Sequence, residues 1–207
     1  IYYHPTTQVL TTSTVDWNMT DGTIQIATIF WNPTAAEGLL EEERHGLIMD
    51  GMTHEYLHKT VGIRYNSGLT GTFTDPANVS VTAGSVYDED ILISTTTNQT
   101  QCRVLYRDAP SAFTYSARQN SYIQTNGGNI AYDNGGVLTP VTNGQYVAYW
   151  IFATNDLSTP IYSLVGQRQD TNLTNARNNA KYESLTLTGL PFREMKLLYR
   201  VILHRIG

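Results

Sequence analysis

The segment His54-Glu55-Tyr56-Leu57-His58 satisfies the spacing H-E-x-x-H. On a helix, imidazoles four residues apart share one face and can hold a zinc ion, with the glutamate between them as general base of a peptidase. The neighbouring residues depart from that chemistry. A metzincin continuation needs Gly at position 61 and His at position 64, where this chain has Val61 and Arg64. The helical pattern Met52, Tyr56, Leu57, Val61 spans one or two turns before Gly62, shorter than the rigid, core-backed helix a catalytic zinc requires. A gluzincin needs a later helix carrying a carboxylate, and the segment around Glu89 reads as loop and strand. Without catalysis, His45, His54 and His58 remain a candidate structural metal site, for example at a symmetry axis. The plainer alternative is imidazoles hydrogen-bonded beside Glu41-Glu42-Glu43.

A second candidate is the acidic triplet Asp88-Glu89-Asp90 after Gly84, whose carboxylates could hold a hard cation such as calcium. It lacks the ligand spacing and glycine of an EF-hand, and a solvated loop is the simpler reading. Paired carboxylates for glycoside hydrolysis are defined by separation in space, so the sequence selects none. There is no G-x-S-x-G elbow and no glycine-rich phosphate loop before a helix. Four glycosylation sequons, at Asn18, Asn78, Asn98 and Asn172, are what chance gives in a chain rich in Asn and Thr. Tyr106, Tyr115, Tyr122, Tyr132 and Tyr162 flank polar turns and are candidates for stacking on sugar faces.

Strand signals dominate the elements that must position these groups. Thr6 to Val15 and Thr23 to Trp31 are dense in β-branched and aromatic residues, and Gly46 to Met49 is a short buried-strand candidate. The middle of the chain alternates short strands (71–74, 78–82, 90–95, 102–106, 112–116 and 121–125) with Asn, Asp, Gly and Pro. Asn126-Gly127-Gly128-Asn129, Asp133-Asn134-Gly135-Gly136 and Asn143-Gly144 are hairpin chemistry, since these residues accept positive φ. Gln145 to Ala153 has Val147, Tyr149, Ile151 and Ala153 on one face and Ala148, Trp150 and Phe152 on the other, which predicts an interior strand. Met195 to Ile206 reads as the last strand. Two short helices are predicted, about 52–61 capped by Asp50 or Thr53 and about 171–183 capped by Asp170. This pattern predicts a mainly β chain, an antiparallel sandwich or jelly-roll. Its organisation is an N-terminal strand or arm over 1–22 and a β-rich domain over 23–207.

Composition supports that reading. Charged residues make up 15% and aromatics 11%, with fourteen Tyr, which favours strands and polar loops over helix. A net charge of -5 without a Lys/Arg cluster argues against nucleic acid as a partner. The single Cys102 rules out an intrachain disulfide and reads as a small core hydrophobe. No stretch approaches the roughly 20 apolar residues of a helical membrane span, and no membrane insertion is expected. The chain opens on Ile1 and stops straight after a strand pattern, which predicts a segment of a longer polypeptide.

Glu42-Glu43-Arg44-His45-Gly46, Met49-Asp50-Gly51-Met52-Thr53-His54, Leu57-His58 and Thr60-Val61-Gly62-Ile63-Arg64-Tyr65 together resemble segments of bacteriophage tail-fibre and related receptor-binding virion proteins. Asp88-Glu89-Asp90-Ile91, Tyr149-Trp150-Ile151-Phe152 and Gly189-Leu190-Pro191-Phe192-Arg193-Glu194 resemble the same family in the same order, so the likeness spans most of positions 24 to 206. Glu55 is not part of the family-like pattern, although the histidines are. The resemblance implies a structural or adhesin-like β module, not an enzyme, usually a homotrimer, made in the host cytoplasm and residing in the virion tail. Other tail proteins and host-surface glycan would be its partners, and no cofactor is expected beyond a candidate structural metal ion. The rival expectation is an enzyme, either a polysaccharide-depolymerising tailspike or a zinc peptidase built on the histidine segment.

Overall fold

β-Branched and aromatic residues form the paired segments, and among the described residues strands take 49% against two short helices, so the protein is mainly β. The computed structural model describes residues 1–15, 23–32, 36–42, 49–191 and 194–207. The elements begin with β1 (Tyr2–His4), β2 (Val9–Thr11), β3 (Ile24–Gln25), β4 (Ala27–Asn32), β5 (Glu37–Glu42) and α1 (Gly51–Thr60). Next come β6 (Arg64–Gly68), β7 (Gly71–Thr72), β8 (Ser80–Val81), β9 (Gly84–Asp88), β10 (Ile91–Thr95), β11 (Arg103–Ala109) and β12 (Ala112–Tyr115). The chain closes with β13 (Thr125–Asn126), β14 (Asn129–Asp133), β15 (Leu138–Pro140), β16 (Tyr146–Thr154), β17 (Ile161–Asp170), α2 (Leu173–Asn179), a 3₁₀ turn (Tyr182–Ser184) and β18 (Met195–His204).

One sheet organises the molecule, in the order β12-β11-β17-β16-β18. β11 and β17 run parallel, and the other neighbours are antiparallel. β16 is apolar on both faces and lies inside the sheet, as its pattern predicts. Such a sheet must be covered twice. Val147, Tyr149, Ile151, Ile161 and Val165 face one core with Val81, Val86, Cys102 and Tyr122. Ala148, Trp150, Phe152, Tyr162 and Leu164 face the other with Leu39, Leu105, Phe113 and Ala180. Smaller sheets, β2-β1-β3, β10-β9-β6, β13-β14-β15, β4-β5 and β7-β8, complete the chain.

The segment after Asp170 differs from its expected form. Asp170 ends β17, where it pairs with Tyr146 in the ladder and accepts from the Arg168 guanidinium at 2.6 Å. Asn172 caps α2 instead, accepting from the Asn175 N–H at 2.8 Å, and the chain leaves the helix at Ala180, which is buried in the core. The predicted strand from Thr6 to Val15 is only Val9–Thr11, because the chain first turns at Gln8, φ 57°, to pair β1 with β2. In the predicted strand at 121–125, Tyr122 is fully buried with its hydroxyl donating to the Phe73 carbonyl, and only Thr125 enters a ladder. Of the candidate strand Gly46 to Met49, the first three residues lie outside the described ones, and Met49 is not in a strand.

Candidate metal centre

α1 forms where the sequence supplies both its ends. The Asp50 carboxylate accepts from the Thr53 N–H at 3.0 Å, and Gly62 takes φ +54° while its N–H bonds back to the Leu57 carbonyl. One turn apart on this helix, His54 and His58 hold their rings 4.2 Å apart, centroid to centroid. His54 is buried and His58 partly so.

The β9–β10 hairpin approaches the same histidines. Its register pairs Asp88 with Ile91, leaving Glu89-Asp90 as a two-residue turn. Glu89 sits at φ 46°, in the left-handed region that favours glycine, so a side chain is retained there against roughly 1 kcal/mol of backbone strain. That side chain is 0% exposed, with one oxygen 3.5 Å from His54 Nε2 and the other 3.1 Å from His58 Nδ1. Glu194, next to the start of β18 and 2% exposed, brings Oε1 to 2.5 Å from His58 Nδ1. Its Oε2 has no hydrogen-bond partner among the described residues. Asp88 is also buried, and the Asn155 amide donates to its Oδ2 at 2.8 Å.

Two overlapping sets result, His54 with His58 and Glu89, and His58 with Asp88, Glu89 and Glu194. Within each set the donor atoms lie inside 4.8 Å of one another. Imidazole nitrogens with carboxylate oxygens make a donor set suited to zinc and its neighbours among the transition metals. Glu55 is not in the cluster; it pairs with Lys59 on the exposed side of α1. A catalytic zinc keeps one position open to water or substrate. Here the most exposed of the two histidines and of Glu89 and Glu194 is His58, at 18%.

The fold therefore joins parts of two sites that the sequence presents separately. His54 and His58 meet Asp88 and Glu89; Asp90 belongs to neither donor set, and His45 lies outside the described residues. Glu194 and Asn155 were not legible as site residues. The one signal for Glu194 was its place at the end of the family-like motif Gly189 to Glu194. For three of the five tyrosines proposed as sugar platforms the structure is a correction. Tyr115, Tyr122 and Tyr162 are buried, because their hydroxyls find protein acceptors such as the carbonyls of Glu37 and Phe73 and the Asp156 carboxylate. Tyr106 and Tyr132 pack partly buried against the core. A separate cleft of about 310 Å³ lies between the central sheet and the 3₁₀ turn, lined by Trp150, Gln167, Arg168 and Lys181 among others.

Fold and site together define a class: a mainly β chain with a buried histidine–carboxylate cluster beside a short helix. No family model matches the sequence, no curated protein matches it, and no solved structure matches it.

Proposed function

We propose that this chain is a non-enzymatic structural component of a phage virion, in a tail fibre or other tail appendage, that assembles as a homo-oligomer and contributes to host-surface attachment. The observation that carries the assembly reading is the outer face of the β4–β5 ribbon. Its register pairs Ile29 with Leu40 and places Trp31 opposite Gly38. Phe30 and Leu39 point inward to the core, while Ile29, Trp31 and Leu40 are 43%, 58% and 41% exposed. A strand that is apolar on both faces suits a ribbon covered on both sides, and a second copy of the chain supplies the missing cover. Each such side chain contributes about 1.5–3 kcal/mol when fully buried. The virion assignment rests on the resemblance quoted above. The position of Glu55 on the exposed side of α1 favours a structural over a peptidase reading. The finer architecture, an antiparallel sandwich or jelly-roll, belongs to the same proposal, supported by the apolar layer between the central sheet and the smaller ones.

Sedimentation at micromolar concentration tests the reading. A defined oligomer, a trimer by the resemblance, is expected for the wild type, and Trp31→Glu is expected to shift it to monomer with an unchanged circular dichroism spectrum. A wild-type monomer would overturn the assembly. Peptides of the chain in purified phage particles, detected by mass spectrometry, are the expected mark of a virion component.

A further inference from the structure

We propose that His54, His58, Glu89 and Glu194 bind one zinc ion in a closed, structural site that fastens α1 to the β9–β10 turn and to the start of β18. The inference is independent of the oligomeric reading. Four side chains from three separate parts of the fold bring their donor atoms into two overlapping sets, and His58 and Glu89 belong to both. His58 Nδ1 faces carboxylate oxygens of two glutamates, at 2.5 Å and 3.1 Å. A protonated Nδ1 has a single N–H to give, so a simple hydrogen bond accounts for one of these approaches and not equally for both. Tetrahedral zinc with bonds of about 2.0–2.1 Å holds its ligand atoms about 3.3 Å from one another, the scale of the separations seen here.

Two further observations point to a ligand. Glu194 is 2% exposed, and its Oε2 has no hydrogen-bond partner among the described residues, an arrangement that costs free energy unless something else meets the oxygen. Asp88, whose carboxylate lies in one of the two donor sets, is itself held by the Asn155 amide, which donates to it, the kind of support that orients groups around a metal. The donor set of two nitrogens and two carboxylates selects a zinc-like ion over calcium, which takes six to eight oxygens. The burial of the set gives a structural role.

The test is zinc itself. Protein stripped with a chelator and dialysed is titrated with zinc chloride by calorimetry, and with cobalt(II) by visible absorption. One zinc per chain, a four-coordinate cobalt spectrum and a higher melting temperature with zinc are expected. Glu89→Gln, which keeps the side-chain volume, and His58→Ala are each expected to abolish binding, and Asn155→Ala to weaken it by about 10–100-fold. Glu55→Gln is expected to bind as the wild type does. Should His58→Ala fail to fold, Glu89→Gln decides alone, its fold checked by circular dichroism. Stripped wild type that takes up neither zinc nor cobalt overturns the proposal and leaves an imidazolium–carboxylate cluster. Folded Glu89→Gln that binds zinc normally, or binding lost in Glu55→Gln, overturns the ligand set.

Discussion

Arg107 and Asp133 set out what a charge requires when the chain buries it. Nε donates to Oδ2 at 2.7 Å, a second guanidinium nitrogen to Oδ1 at 3.2 Å and the third to the Pro110 carbonyl, while Asp133 also accepts from the Gly136 N–H at 2.7 Å. Both side chains are buried, so removing one strands the other. Arg107→Met is expected to cost about 3–5 kcal/mol, read as a lower urea midpoint, and Arg107→Met with Asp133→Leu to recover part of it. A single variant within about 0.5 kcal/mol of wild type, the range of ordinary surface changes, would refute the idea that this pair ties β11 to the turn after β14. Nothing in the sequence separates these two residues from surface charges, because the partner of a buried charge is chosen by the fold across 26 positions. The same holds for Tyr122 and Tyr162: an amphipathic ring beside polar turns reads as exposed until its hydroxyl is seen to find an acceptor inside.

α1 was legible because both its signals are local: an Asp three residues before the N–H it caps, and a glycine where the backbone turns left-handed. β16 was legible from its own two apolar faces. β17 is not legible in the sequence, although it lies at the centre of the sheet, since Gly166, Gln167, Arg168 and Gln169 interrupt its pattern after Val165. Gly166 belongs there for a steric reason. The β16–β17 register shifts between Val147 and Tyr149, and a Cβ on Gly166 would lie 2.0 Å from the Ala148 carbonyl oxygen. Gly166→Ala is therefore expected to destabilise the protein by about 1–3 kcal/mol, as overpacking does, seen as a reduced denaturation midpoint with an unchanged slope. An alanine variant as stable as wild type would mean that the two strands separate there without cost. The candidate centre falls between these cases: its two histidines were visible as a spacing, whereas the carboxylates that meet them arrive from a hairpin turn and from the residue before β18.

At the scale of the whole molecule, the central sheet carries ionisable groups into both of its apolar layers, and this sets how the fold responds to alkali. Tyr149 and Cys102 lie in one layer with Tyr122, and Tyr162 lies in the other. Burial pushes the Tyr122 phenol up to about 12 from 10.0 and the Cys102 thiol up to about 12 from 9.0. Tyr149 and Tyr162 are raised further, chiefly by burial and, for Tyr162, also by the Asp156 carboxylate that its hydroxyl donates to at 2.6 Å. Each of these groups holds its proton more tightly folded than unfolded. Their contribution is thus complete below the unfolded values and is lost as pH rises through them, first for the thiol and then for the phenols. Each group that ionises only in the unfolded chain lowers stability by about 1.4 kcal/mol per pH unit. Urea unfolding measured from about pH 8 to about pH 11 should show a stability that is level at first and then falls with growing steepness above about pH 10. Tyr122→Phe removes one titrating group, so its curve should fall less steeply than that of the wild type. Stability that stays level across the whole range would mean that these phenols ionise as readily in the folded chain as in water, which two packed layers around one sheet do not permit.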